Sequence, residues 1–173
     1  MNQDEFWQLV NEARRHAELA GSREATKATL KGVAAKLELL PPREVIEFDA
    51  IRRMLSVHAH TALLWAAAYA LCGGCSADGF IDFKAWLILQ GRDFFEAATQ
   101  QPDLLANLAE WPSCEEFTYA AAQAYQAATG DLLPVAEPVS LGRPPGAWDF
   151  EDQAELGRQL PRIAARVATM GSL

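Results

Sequence analysis

The sequence predicts an all-α fold: a single-domain helical bundle of about six or seven helices, with a Pro-rich extended strap before the last one. Three observations lead there. Apolar residues recur every three to four positions over most of the chain. Residues that cap or terminate helices stand at the ends of those stretches. Half of the 173 residues are apolar and 22% are charged, a composition that builds a core rather than a disordered chain. The length suits one domain over 1–173, with the strap at 131–147 and a docked C-terminal helix within 148–173.

Asn2 stands three residues before Glu5, the spacing of a capping box, and Phe6, Leu9, Val10, Ala13 and Ala17 follow on one helical stripe as far as Gly21. Ser22 can cap a second helix whose stripe is Leu30, Val33, Ala34, Leu37 and Leu40, closed by Pro41 and Pro42. Proline is tolerated in a first helical turn, so Pro42 opens a third helix through Val45, Phe48, Ile51 and Leu55, with a continuation or break near Ser56 to His60. A fourth helix carries Leu64, Trp65, Ala68 and Leu71 and meets Gly73 and Gly74, natural left-handed terminators. After a turn at CSADGF the helical pattern resumes over FKAWLILQGRDFFEAATQ. Pro102 starts a short piece through Leu104, Leu105 and Leu108. Ser113 and Glu116 then have capping-box spacing before FTYAAAQAYQAATG, which Gly130 stops. Asp131 to Ala147 holds four of the nine prolines and reads as an extended strap. A last helix spans roughly Glu151 to Thr169, with Pro161 as a kink.

With 15 Lys and Arg against 23 Asp and Glu, the net charge is −8, a poor balance for neutralising phosphates, so nucleic acid and anionic membranes are not expected partners. The acidic surplus sits between Gln101 and Phe150, and Arg158, Arg162 and Arg166 recur every four residues as a solvated face of the last helix. The first residues carry acids and no cationic stretch, so no signal peptide is expected. The longest weakly polar stretch, Thr61 to Cys75, falls short of the roughly 20 residues that span a bilayer. Three cysteines at no disulfide-framework spacing point to a reducing cytoplasm.

Cys72-Gly-Gly-Cys75 has the spacing of a redox dithiol or half a zinc site. Redox pairs gain a low thiolate pKa by opening a helix, whereas this pair closes one, and the negative end of the dipole disfavours a thiolate there. Zinc would need two more ligands. His58 and His60, two residues apart, would point to opposite faces of a helix. Asp78-Gly-Phe-Ile-Asp resembles the middle of a calcium loop, but Gly74 and Ala85 stand where its terminal carboxylates belong. Asp78 or Ser76 as a helix cap is the simpler account. No Walker A loop, GxGxxG, HExxH or G-x-S-x-G occurs. The five tryptophans read as core anchors.

The segment AAAYALCGGCSADGFIDFKAWLILQGRDFFEAA resembles the core of a bacterial family classed as domain of unknown function 4240, whose pattern is a GGCSDDGF turn followed by an FRxWLIxQGR helix. Gly73, Gly74, Cys75, Ser76, Asp78, Gly79 and Phe80 match the turn; Phe83, Trp86, Leu87, Ile88, Gln90, Gly91 and Arg92 match the helix. Weaker resemblance reaches from Phe6-Trp7 to Trp148 and Leu160-Pro161-Arg162. Ala77 for Asp and Lys84 for Arg depart from the pattern, which removes paired carboxylates from the turn. The resemblance implies one domain and a family without an assigned activity.

The expected function is therefore a non-enzymatic cytoplasmic binding or regulatory module, with its surface at the 74–80 turn and the helix reaching Arg92. Its candidate residues are Cys75, Ser76, Asp78, Trp86, Gln90 and Arg92, with a protein partner or a small anionic ligand and with no metal or cofactor. The alternative is a small enzyme or small-molecule-binding protein in which Cys75, Asp78 and Arg92 share a pocket and Arg92 orients an anion.

Overall fold

The computed structural model describes residues 1–15, 23–108, 114–134 and 141–170. Ala17, Gly21, Ser22, Trp111, Ser113 and residues 135–140 of the strap lie outside them. The described elements are α1 (Gln3–Arg14), α2 (Arg23–Leu37), α3 (Pro42–His58), α4 (Ala62–Cys72), α5 (Ala77–Leu89), α6 (Arg92–Gln100), a 3₁₀ helix (Pro102–Asn107), α7 (Glu115–Thr129), α8 (Gln153–Gln159) and α9 (Pro161–Met170). The fold is all-α, with no strand among the described residues. No single described helix is long and apolar enough to cross a membrane.

Local chemistry sets most boundaries. The Asn2–Glu5 capping box is formed on both sides. Pro42 occupies the first turn of α3, and α3 breaks from α4 at an 85° bend where the Thr61 side chain accepts from Leu64 N–H. Gly73 ends α4 in the left-handed region and Gly130 ends α7 the same way.

The helical pattern read as continuous from Phe83 to Gln100 is in fact two helices. It breaks at Gln90 and Gly91 because Gly91 takes φ +86°, a conformation that stops α5 and turns the chain into α6. The last helix is likewise two, since Pro161 opens α9 rather than kinking a single rod. These two breaks and the short 3₁₀ piece bring the described helices to ten, above the expected six or seven. At α7 the N-cap is Cys114, without a side-chain cap hydrogen bond.

α5 sits at the centre. It packs against α2, α3, α4, α6 and α7, and Phe80, Phe83, Lys84, Ala85, Trp86, Leu87, Ile88 and Leu89 are all buried. α1 lies on α2 and brings Phe6 and Trp7 against Phe48 and Phe95. At the other end Asp103 accepts hydrogen bonds from the N–H groups of Arg162 and Ile163 at 3.0 Å, capping α9 from the 3₁₀ helix. Arg158 and Arg162 are exposed, as expected of a solvated face, while Arg166 is half-buried; the Arg162 and Arg166 guanidinium groups also donate to the Asn107 side chain and the Ala106 carbonyl. One core cluster contains Phe6, Trp86, Phe117, Leu133, Phe150 and Ile163.

The position of Gly91 gives a direct test of this packing. A Cβ there would lie 2.5 Å from Asn11 Oδ1 and 2.9 Å from Arg14 Nη1, on a backbone that L-residues rarely adopt. Gly91→Ala is expected to lose about 1–3 kcal/mol, chiefly left-handed backbone strain. Gly157→Ala, in α8 with nothing within 4 Å, is expected to gain about 0.5–1 kcal/mol. Urea unfolding followed by circular dichroism measures both.

Candidate functional site

Cys75 and Ser76 lie on the turn between α4 and α5. The Ser76 hydroxyl accepts from Gly79 N–H at 3.1 Å and caps α5, while Asp78 stands exposed in its first turn, where a carboxylate complements the helix dipole. Trp65 on α4 fixes the turn by donating from its indole to the Cys75 carbonyl at 3.0 Å. Its ring stacks on Phe80 at 4.9 Å and meets Phe150 at 6.2 Å.

The other sequence candidates lie elsewhere. Trp86 is a core residue packed between Phe83 and Phe94, with no surface to offer a ligand. Gln90 is buried and donates to the Trp86 carbonyl at 3.1 Å, closing the last turn of α5. Arg92 opens α6 and ties Asp4 at 2.7 Å to Glu96 at 2.8 Å. The 13 residues of α5 separate Arg92 from Cys75 by about 20 Å at the helical rise. The pocket expected to join Cys75, Asp78 and Arg92 is thus not assembled.

Each end of α5 has its own cleft. At the Arg92 end, about 310 Å³ is enclosed by Asn11, Arg14, Arg15, Gln90, Gly91, Arg92, Asp93 and Phe94. Its arginines 92 and 15 are already paired, to Asp4, Glu96 and Glu12. At the Cys75 end, about 320 Å³ lies between Trp65 and Tyr69 of α4, Cys75 of the turn, and Arg143, Asp149, Phe150 and Glu151 of the segment leading into α8. Here aromatic walls and charges of both signs face one space.

That segment is held over α4 at several points. Tyr69 donates to Glu151 at 3.0 Å, a bond that raises the phenol pKa above its usual value. The Arg143 guanidinium lies 5.1 Å over the Phe150 ring and donates to the Trp148 carbonyl. His60 Nε2–H donates to the Gly142 carbonyl at 2.8 Å, which leaves Nδ1 to accept from the Lys84 ammonium at 3.3 Å. Lys84 is 2% exposed, lies 5.0 Å over the Phe80 ring, and has its pKa lowered to about 8 by burial.

Residues 1–127 match the family described as Protein of unknown function (DUF4240). The chain belongs to this family. No curated protein and no solved structure is significantly similar to it. The DUF4240 match ends inside α7. The resemblance read at Trp148 and at Leu160-Pro161-Arg162 lies beyond it. The cleft at Cys75 therefore joins α4 and the turn of the DUF4240 region to Arg143, Asp149, Phe150 and Glu151 from outside the match.

The cleft's thiol is not an activated nucleophile. Burial pushes the Cys75 thiol up to about 11, with Cys72 and Asp82 adding to the effect, and burial also raises Cys72. Among the described residues, no cluster of three or more His, Cys, Asp or Glu side chains has the placement to hold a metal ion. Sequence reading named Cys75 but missed Tyr69, Arg143, Asp149, Phe150 and Glu151. The one available signal was two aromatics flanked by charges, WDFE at 148–151, following the proline-rich strap.

Two measurements follow. Near neutral pH, Cys75 is expected to alkylate no faster than Cys72, with rates that climb as pH rises toward 11; a faster Cys75 would mean an activated nucleophile. For Lys84, the folded state sheds its proton near pH 8 and the unfolded state near 10.5. Between those values the unfolded chain binds more protons, so this residue's contribution makes stability rise with pH. The difference in unfolding free energy between the natural chain and Lys84→Met is expected to shift toward the natural chain from pH 8 to 10.5, with the variant the more stable at pH 7.

Proposed function

We propose that the protein is a ligand-binding module whose site is the cleft bounded by Trp65, Tyr69, Cys75, Arg143, Asp149, Phe150 and Glu151. The observation that carries this reading is the conjunction in that cleft of aromatic walls with charged side chains of both signs. A concave, largely aromatic surface with a few convergent polar groups is the general form of small-molecule sites. Its volume, about 320 Å³, lies at the small end of the range of about 300–1,000 Å³ for such sites.

Binding is favoured over catalysis because the one thiol facing the cleft is held protonated and no base touches it among the described residues. The three free cysteines support a reducing cytoplasm as its compartment. The core cluster running from Phe6 to Ile163 supports a single domain over 1–173. The Arg92 end, where Arg92 bridges Asp4 of α1 and Glu96 of α6, reads as a structural clamp of α1 on α6.

Titration with a library of small amphiphilic fragments, followed by two-dimensional NMR of the full chain, tests the proposal. Shifts are expected to concentrate on the Trp65 indole, Tyr69, Cys75 and residues 149–151, and to be lost in Arg143→Ala but retained in Arg158→Ala. Shifts scattered over the surface, or gathered around Arg92, would overturn it.

A further inference from the structure

The charges in the Cys75 cleft are not matched to each other. Asp149, Glu151 and Arg143 all face it, yet among the described residues neither Arg143 nor either carboxylate takes part in an ion pair. Arg143 has one N–H committed to the Trp148 carbonyl, and a guanidinium has five donors in a planar fork suited to a carboxylate. Asp149 accepts the backbone N–H of Glu151 at 3.1 Å, and Glu151 accepts the Tyr69 hydroxyl. Each carboxylate keeps lone pairs for a further donor. The rings of Trp65, Tyr69 and Phe150 line the same cleft, the Phe150 centroid lying 6.2 Å from that of Trp65 and 5.8 Å from that of Tyr69.

We propose that the cleft binds a zwitterion with an apolar or aromatic body, of which a free aromatic α-amino acid is the simplest. Its carboxylate meets Arg143, its ammonium meets Asp149 and Glu151, and its body lies on the aromatic walls. The geometry disfavours a simple anion, which would face two uncompensated carboxylates, and a simple cation, which would face the guanidinium over Phe150. A dipolar ligand answers both at once. This assignment rests on the cleft being the binding site.

The test uses L-phenylalanine against two blocked forms on the full chain, read as Kd from NMR shifts of the Trp65 indole. L-phenylalaninamide lacks the carboxylate and mimics a peptide N-terminus; N-acetyl-L-phenylalanine lacks the ammonium and mimics a C-terminus. The free amino acid is expected to bind about tenfold or more tighter than either, each blocked form losing a charge-assisted contact. Arg143→Gln is expected to abolish its advantage over the amide, and Glu151→Gln to reduce its advantage over the acetylated form. Both residues are exposed, so the variants are expected to keep the natural unfolding midpoint. Tighter binding of either blocked form overturns the inference in favour of a peptide terminus, and equal binding of all three overturns it in favour of a charge-blind aromatic cleft. If none of the three binds while amphiphilic fragments still shift the cleft, the zwitterion falls and the binding module stands; if no compound shifts the cleft, both fall.

Discussion

The burial of α5 is the constraint on which the rest of the structure depends. A helix that is apolar nearly all round can be stable only inside a shell of other elements, and α2, α3, α4, α6 and α7 supply that shell. Its ends must then be closed by special devices, because orphan backbone groups cannot be left in a core. Ser76 closes one end with its hydroxyl, and the Gln90 side chain and the left-handed Gly91 close the other. In this chain the apolar residues of 80–89 build the central rod, and Ser76, Gln90 and Gly91 terminate it where it reaches the surface.

This arrangement separates two features that look adjacent in sequence. The Gly73–Ser76 turn and the Gln90-Gly91-Arg92 step are the two ends of one rod and face different clefts. At the Arg92 end the Asp4–Arg92–Glu96 ion pairs hold α1 to α6. At the Cys75 end residues 141–151 lie over α4, tied to the core by a chain of contacts from Lys84 through His60 to Gly142. A buried lysine whose polar contact is a histidine nitrogen is an expensive way to hold a loop. That expense is consistent with a segment whose position matters for binding.

Much of the fold was legible in the sequence because its boundaries are local. The Asn2–Glu5 box, Pro42, Gly73, Ser76 and Gly130 each act within a few residues, and each has the effect its chemistry predicts. Gly91 was not legible, since a glycine inside a helical pattern is compatible with both continuation and a stop until the approach of Asn11 and Arg14 is known. Asp103 capping α9 from 59 residues away is a tertiary event with no sequence signal. The same limit applies to the site. Cys75 and Ser76 announce themselves by their turn, whereas Arg143, Asp149, Phe150 and Glu151 line one cleft only because residues 141–151 lie against Trp65 and Tyr69. Arg92 was drawn into that site by reading α5 and α6 as one continuous polar face.

Hydroxyl-radical footprinting in intact cells, compared with the same protein purified and stripped by dialysis, tests most directly whether the Cys75 end of α5 is the functional end. Protection in the cell is expected to fall on Tyr69, Cys75 and Trp148 and to leave Phe94, beside Arg92, unchanged. Protection centred on Phe94 and the Arg92 cleft, or identical footprints in both states, would contradict it.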